Sequence, residues 1–263
     1  MILIRELQTM EEFEAAVDVE LAVWGVDQRD ALPAAFMRAN YAAGGVTLGA
    51  YQDGRMLGMC SAFPAMRDGI PFLWSHVTGV LPEAQRLNIG YQLKQKQADW
   101  AEANGFQEIH WTYDPLQAGN AHFNLRRLGA TTNRYYLNFY GVMRDSINAG
   151  VESDRVEATW AVTERSSRAP VAPAPPPHLF ERALALVSTN GLPDVRLDDL
   201  RGSLLLAELP PSLKALAPEA RHDWRLALRK VLMALFAEGF TATDVLRRGE
   251  HHYYVLQRSS GSL

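Results

Sequence analysis

Apolar residues recur at two periods along this chain, and the switches between them lay out its elements. Residues 2–7 read as a first strand. Thr9 followed by Glu12 is the reciprocal arrangement that starts a helix, and Phe13, Val17, Leu21 and Trp24 give that helix an apolar face. The spacing predicts a second helix over 33–41, ended by Gly44-Gly45. Residues 46–51 and 56–63 flank Asp53-Gly54 as a hairpin. A strand over 72–80 then runs through a short loop into a long helix that starts near Gly90 and closes at Gly105. Residues 109–113 read as a strand stopped by Asp114-Pro115, 121–128 as a short helix, and 135–142 and 158–162 as strands.

The composition changes over 163–178, where Ser166-Ser167 precede Pro170, Pro173, Pro175, Pro176 and Pro177. That stretch reads as an extended spacer. Beyond it the pattern predicts a helix over 180–188, a strand over 204–209, a long helix over 218–238, and strands over 241–246 and 252–257. The expected organisation is a domain over 1–162, a linker over 163–178 and a smaller α/β unit over 179–263. Helix endings Asn104-Gly105-Phe106 and Glu238-Gly239-Phe240 suggest that the smaller unit is a half-copy of the larger.

Charge and cysteine content narrow the function. With 21% charged and 48% apolar residues the chain has the balance of a folded domain. A net charge of −4 and a pI near 6.0 argue against a nucleic-acid partner. Cys60 stands alone in a strand, so it reads as a buried thiol in a reducing, cytoplasmic setting. The N-terminus lacks the basic-then-apolar pattern of a signal peptide. No apolar run approaches the roughly 20 residues of a membrane span, so no membrane partner is expected. Ligand spacing for a metal is missing around His251-His252.

The junction Val80-Leu81-Pro82-Glu83-Ala84-Gln85-Arg86-Leu87-Asn88-Ile89-Gly90 carries the chemistry. A strand, a loop of small and polar residues and a helix start leave backbone N–H groups in front of a helix dipole, which suits pyrophosphate.

The element order resembles that of the GNAT superfamily of acyl-CoA-dependent N-acyltransferases over about residues 1–162. The family's loop pattern, Gln or Arg, two residues, Gly, one residue, then Gly or Ala, is similar to Gln85-Arg86-Leu87-Asn88-Ile89-Gly90, with Asn88 at the first glycine. Leu128-Gly129-Ala130 is similar to the usual helix ending. The resemblance implies an α/β (α+β) fold: a mixed central sheet flanked by helices, followed here by the half-GNAT-like unit. It implies acetyl-CoA or another acyl-CoA, succinyl-CoA included, as donor. The CoA pyrophosphate would lie over Gln85, Arg86, Leu87, Asn88, Ile89, Gly90 and Tyr91, with the pantetheine along Thr78 and Val80. Asn120 and Asn124 would contact the same arm, Asn120 reading equally as a helix cap. The runs 107–116 and 120–125 look like a subgroup some of whose members are associated with amino-acid N-succinylation, which suggests a small amine acceptor, an amino acid. Other readings are a non-catalytic acyl-CoA sensor and a protein N-acetyltransferase guided by the C-terminal unit. That unit would pack as a partner subunit does, giving a monomeric pseudo-dimer, with a homodimer as the alternative.

Within that frame His76 is the candidate base, sharing a strand face with Thr78 and Val80 by alternation. Asp114 is a second candidate base, or a turn residue. Tyr113, Tyr135 and Tyr136 are candidate acids or packing aromatics, and His122 is a further polar candidate. Leu125 occupies the position at which many members carry an acidic tyrosine.

Overall fold

The computed structural model describes residues 1–25, 30–141, 152–163, 165, 184–197, 202–210 and 212–258. The proline-rich stretch expected as a linker lies outside the described residues, apart from Thr163 and Arg165. By packing, the described chain divides into two units. One takes residues 1–111 and 161–163, the other 112–141, 152–160 and the described residues from 165 onwards.

The first unit is built on five strands in the order β1 (Leu3–Glu6), β2 (Val46–Gln52), β3 (Arg55–Arg67), β4 (Ile70–Val80) and β5 (Glu108–Tyr113), the last two residues of β5 being counted with the second unit. The first four pair antiparallel, and β4 pairs with β5 in parallel. Helix α1 (Met10–Trp24) begins with the expected capping box between Thr9 and Glu12 and ends at Gly25 with φ 60°. Helix α2 (Ala34–Ala42) comes next, and α3 (Ile89–Ala103) connects β4 to β5. The first hairpin turns on Asp53 and Gly54 with φ 50° and 82°. A second turns on Asp68 and Gly69 with φ 52° and 78°, so β3 and β4 extend well beyond the alternating core. Phe13, Leu48, Met59, Leu73, Ile89 and Leu93 are fully enclosed. Gly79 admits the Trp24 ring, which would lie 2.8 Å from an added Cβ.

The second unit carries strands in the order β7 (Arg155–Ala161), β6 (Thr131–Tyr136), β11 (Phe240–Arg248), β12 (His251–Arg258), β10 (Leu204–Leu209), β8 (Leu184–Thr189) and β9 (Leu192–Val195). Helix α4 (Ala118–Ala121) runs into a π-helical turn over His122–Arg127, and α5 spans Pro218–Ala237. Trp160, Trp224, Phe240 and Tyr254 fill its core.

Three sequence expectations are corrected here. The helix over 180–188 is instead strand β8 where described, joined to β9 through Asn190 and Gly191 with φ 53° and 81°, a hairpin turn. A run such as Leu184-Ala185-Leu186-Val187 has no period of its own, and the turn after it decides. Strand β6 lies over Thr131–Tyr136 rather than 135–142, because Asn138 at φ 43° begins a turn. The expected half-copy also differs in topology. In the first unit the strands flanking the long helix are neighbours, whereas β12 pairs with both β10 and β11 and lies between them.

Candidate active site

Strand β4 sets the geometry. Its parallel ladder with β5 consists of Leu73↔Ile109 and Trp74↔His110. Against β3 the register runs Cys60↔Thr78 and Ser61↔Val77, then jumps to Ala62↔Ser75, so His76 is the extra residue of a β-bulge. The bulge breaks the simple alternation that aligned His76 with Thr78 and Val80. Beyond it, Leu81 donates its N–H to the Leu57 carbonyl at 2.9 Å. In an antiparallel ladder such pairs alternate, so Thr78 and Val80 direct their N–H and C=O groups away from β3.

The junction after Val80 is more ordered than a loop. Pro82–Leu87 forms a 3-10 turn anchored by buried Ala84, and Asn88 comes next with φ 59° and ψ 22°. The left-handed conformation expected at this asparagine is present. Helix α3 starts at Ile89, and its first intrahelical bond runs from Gln92 N–H to Asn88 O at 3.2 Å. The amides ahead of that bond have no intrahelical acceptor and sit at the positive end of the dipole. Ile89 is buried and close to β3: a Cβ on Gly58 would lie 3.1 Å from its Cγ2. Gly90, by contrast, would place a Cβ no closer than 3.8 Å to Val80. Protein packing does not require a glycine there. Gln85, Arg86 and Asn88 are exposed, and Glu83 pairs with Arg55 at 2.7 Å on the surface.

His76 is solvent-accessible, with Phe63 as its aromatic neighbour at 6.1 Å between ring centres. Surrounding protein nonetheless desolvates the imidazole and lowers its pKa, so it stays neutral further into acid. An accessible, neutral imidazole is suited to accept a proton.

Thr78, Val80, His76 and residues 85–91 belong to the first unit, whereas Tyr113, Asp114, Asn120 and Asn124 belong to the second. Asp114 is buried and held by Arg225 through two bonds of 2.6 and 3.0 Å, while accepting from the Leu116 N–H at 3.0 Å. Both of its carboxylate oxygens are taken up by the guanidinium. Burial raises the Tyr113 phenol pKa, and burial with the Asp154 carboxylate raises that of Tyr135, whose hydroxyl donates to Asp154 at 2.7 Å. Tyr136 donates to Glu157 at 2.5 Å. Asn120 lies inside α4 rather than at its start, so it does not cap that helix; Gln117 occupies the N-cap. Asn124 is buried in the π-helical turn, its carbonyl accepting from Ala130 at 2.9 Å, and Leu125 is buried beside it. His122 has its pKa lowered by burial and by Arg126, and His251 bonds Glu208 at 2.6 Å.

Sequence reasoning misses Lys94 and Gln97. Both are buried among apolar neighbours of α3, at positions where the helical period that runs through Ile89, Leu93, Ala98 and Ala101 points inward. That period is the available signal.

Residues 8–130 match the acetyltransferase (GNAT) family. Over that stretch, just under half of its length, the chain is similar to that family. A protein from Desulfovibrio desulfuricans assigned to that family is similar in fold at TM-score 0.51 and 17% identity, over 62% of this chain and 99% of that one. The ribosomal-protein-S18-alanine N-acetyltransferase of Escherichia coli gives TM-score 0.49 and 17% identity, over 62% and 94%. A GNAT family acetyltransferase from Elizabethkingia anophelis, with acetyl-CoA bound, gives 0.46 and 14%, over 61% and 97%. No curated protein matches the chain. GNAT enzymes use acyl-CoA donors, and the mixed sheet flanked by helices seen here is their fold. Among the described residues, no helix is long and apolar enough to cross a membrane.

Proposed function

We propose that this chain transfers an acetyl or succinyl group from CoA to the amine of a small molecule, an amino acid being the favoured class, in the cytoplasm. The observation that carries the reading is Asn88. Its left-handed backbone turns the chain from the 3-10 turn into α3 and leaves the first amides of the helix in front of the dipole. Arg86 stands exposed beside them as a charged contact for phosphate. Gly90 keeps the space next to Val80 open.

In this reading the outward amides of Thr78 and Val80 pair with the pantetheine, and the Val80 N–H donates to the thioester oxygen as negative charge develops on it. One such donor is worth roughly 3 kcal/mol. The amine nitrogen attacks the thioester carbon, His76 takes the amine proton, and the C–S bond breaks to give an amide and CoA thiolate. A thiol of pKa about 8.5 leaves tolerably near neutrality without a dedicated acid. That accommodates Leu125 and leaves Tyr113 and Asp114 outside the chemistry. Calorimetric titration with acetyl-CoA and with succinyl-CoA tests the claim, and absence of binding to either at millimolar concentration would overturn it. A thiol-release assay over amino acids of both chiralities then identifies the acceptor.

The missing tyrosine favours one alternative, a non-catalytic acyl-CoA sensor. Binding without thiol release for any amine, including peptide N-termini, would be its signature.

A further inference from the structure

Lys94 on α3 is 3% exposed, yet among the described residues no carboxylate pairs with it. Its Nζ lies 2.9 Å from Ser75 Oγ on β4 and 3.2 Å from Gln97 Oε1 on its own helix. It also sits 3.8 Å from the centre of the Trp111 ring on β5. The place matters more than the contacts. The β4–β5 ladder has Trp74↔His110 as its last pair, and Ser75 and Trp111 are the next residue on each strand. Lys94 therefore bridges the two strands at the point where their pairing stops, one residue before the bulge at His76. The arrangement carries a cost, because Gln97 Nε2 is buried without a hydrogen-bond partner. An apolar side chain of similar volume would fill the site without burying an amine.

We propose that Lys94 is a positioning residue for acyl transfer, tying β4 to β5 at the end of their ladder and so fixing the direction in which Thr78, Val80 and His76 leave it. The inference rests on the acyl-CoA reading above. It also sets a pH dependence. The groups facing the amine are Ser75 from β4, Trp111 from β5, Gln97 from α3 and Cys60 from β3. Burial pushes the Cys60 thiol up to about 12, so it stays protonated near neutrality. Burial brings the amine down to about 7. The protonated amine donates to both oxygens and sits on the indole face as a cation, whereas the neutral amine loses the charge-assisted part of each contact. The contacts are therefore charge-assisted below pH 7 and ordinary hydrogen bonds above it, although burying the charge costs the fold more than they return.

The test is the dissociation constant of acetyl-CoA by calorimetry between pH 6 and 8.5 for the wild type, Lys94→Met and Ser75→Ala. At pH 6 Lys94→Met should bind roughly five- to tenfold more weakly, the size of one or two ordinary hydrogen bonds. Wild-type affinity should fall across the range more steeply than that of Lys94→Met, the phosphate groups of CoA contributing equally to both. Ser75→Ala keeps the amine and should show a smaller loss with the pH dependence retained. Should Lys94→Met fail to fold, as judged by circular dichroism, Ser75→Ala decides: wild-type affinity in it overturns the proposal. A folded Lys94→Met with wild-type affinity and slope overturns it equally. If the wild type binds no acetyl-CoA at all, it is the acyl-CoA reading that fails.

Discussion

Asn88 and Gly90 separate what the backbone needs from what a ligand needs. At Asn88 the left-handed geometry makes Gly the one benign replacement: Asn88→Gly should keep both stability and acyl-CoA affinity. Asn88→Val should cost about 1–2 kcal/mol of stability for a β-branched residue held left-handed and weaken CoA binding as the first turn of α3 shifts. Thermal melts and calorimetry on the two variants check this. Gly90 lies in the helical region with room for a methyl group, so Gly90→Ala should hold or raise stability by up to about 1 kcal/mol while weakening CoA binding. Equal affinity would show that the open space next to Val80 is not where the cofactor passes. For His76, a pKa below the usual 6.5 places the acid limb of kcat/KM below that value, since the base works only when neutral. His76→Ala should retain CoA binding and lose both turnover and that limb. The left-handed asparagine is readable from the chain, because few residue types tolerate that geometry. The bulge at His76 is not, because a register jump depends on which β3 residue lies opposite, and Ser75-His76-Val77 carries no mark of it.

At the next level, α5 shows how elements distant in sequence are joined inside the second unit. Arg225 and Arg229, one turn apart, meet Asp114 and Asp154. Asp154 accepts from Arg229 at 2.7 and 3.0 Å, from Tyr135, and from the Asn138 N–H at 3.0 Å. Tyr254 on β12 donates to the Pro115 carbonyl at 2.9 Å. Asp114 and Arg225 are both buried, so removing one partner strands a charge. Arg225→Met alone should destabilise by about 3–5 kcal/mol, and adding Asp114→Asn should restore much of the loss. Urea denaturation of the single and double variants reads both; a double variant as unstable as Arg225→Met would mean that the arginine acts through packing. The helix itself is plain from its period and its Pro218 start, as is the 204–209 strand. Its partners are not, because ion pairs 75 and 111 residues apart in sequence leave no local trace. Strand β8 escapes for a different reason: its apolar run is too short to show a period, and only the Asn190-Gly191 turn marks it as half of a hairpin.

For the whole chain, the proline-rich stretch marks a composition boundary, while packing groups residues 112–141 and 152–160 with the C-terminal residues beyond that stretch. A fragment of residues 1–178 would leave Asp114 without Arg225 and Asp154 without Arg229, and would remove the β11 strand that pairs with β6 at Ala242↔Thr132. It should therefore be insoluble or molten, and a monomeric, cooperatively melting fragment would refute this. Global stability should also depend on pH through the groups whose burial shifts them most. Lys94 has a folded pKa of about 7 against 10.5 when unfolded, so between those values the unfolded chain holds more protons and stability rises with pH. The slope for one proton is at most about 1.4 kcal/mol per pH unit. Cys60 acts in the opposite sense. Its folded value of about 12 against 9.0 means that the unfolded chain loses its proton first, so stability falls as pH rises above 9. Tyr113, Tyr135 and Tyr254, all raised by burial, add to that fall above pH 10. The net expectation is a climb from pH 7 to about 9, a plateau while lysine and thiol oppose each other, and a decline beyond. Lys94→Met should abolish the climb and keep the decline. Urea midpoints at pH 7, 8 and 9 for the two proteins decide it, and parallel curves would mean that Lys94 keeps its charge on burial.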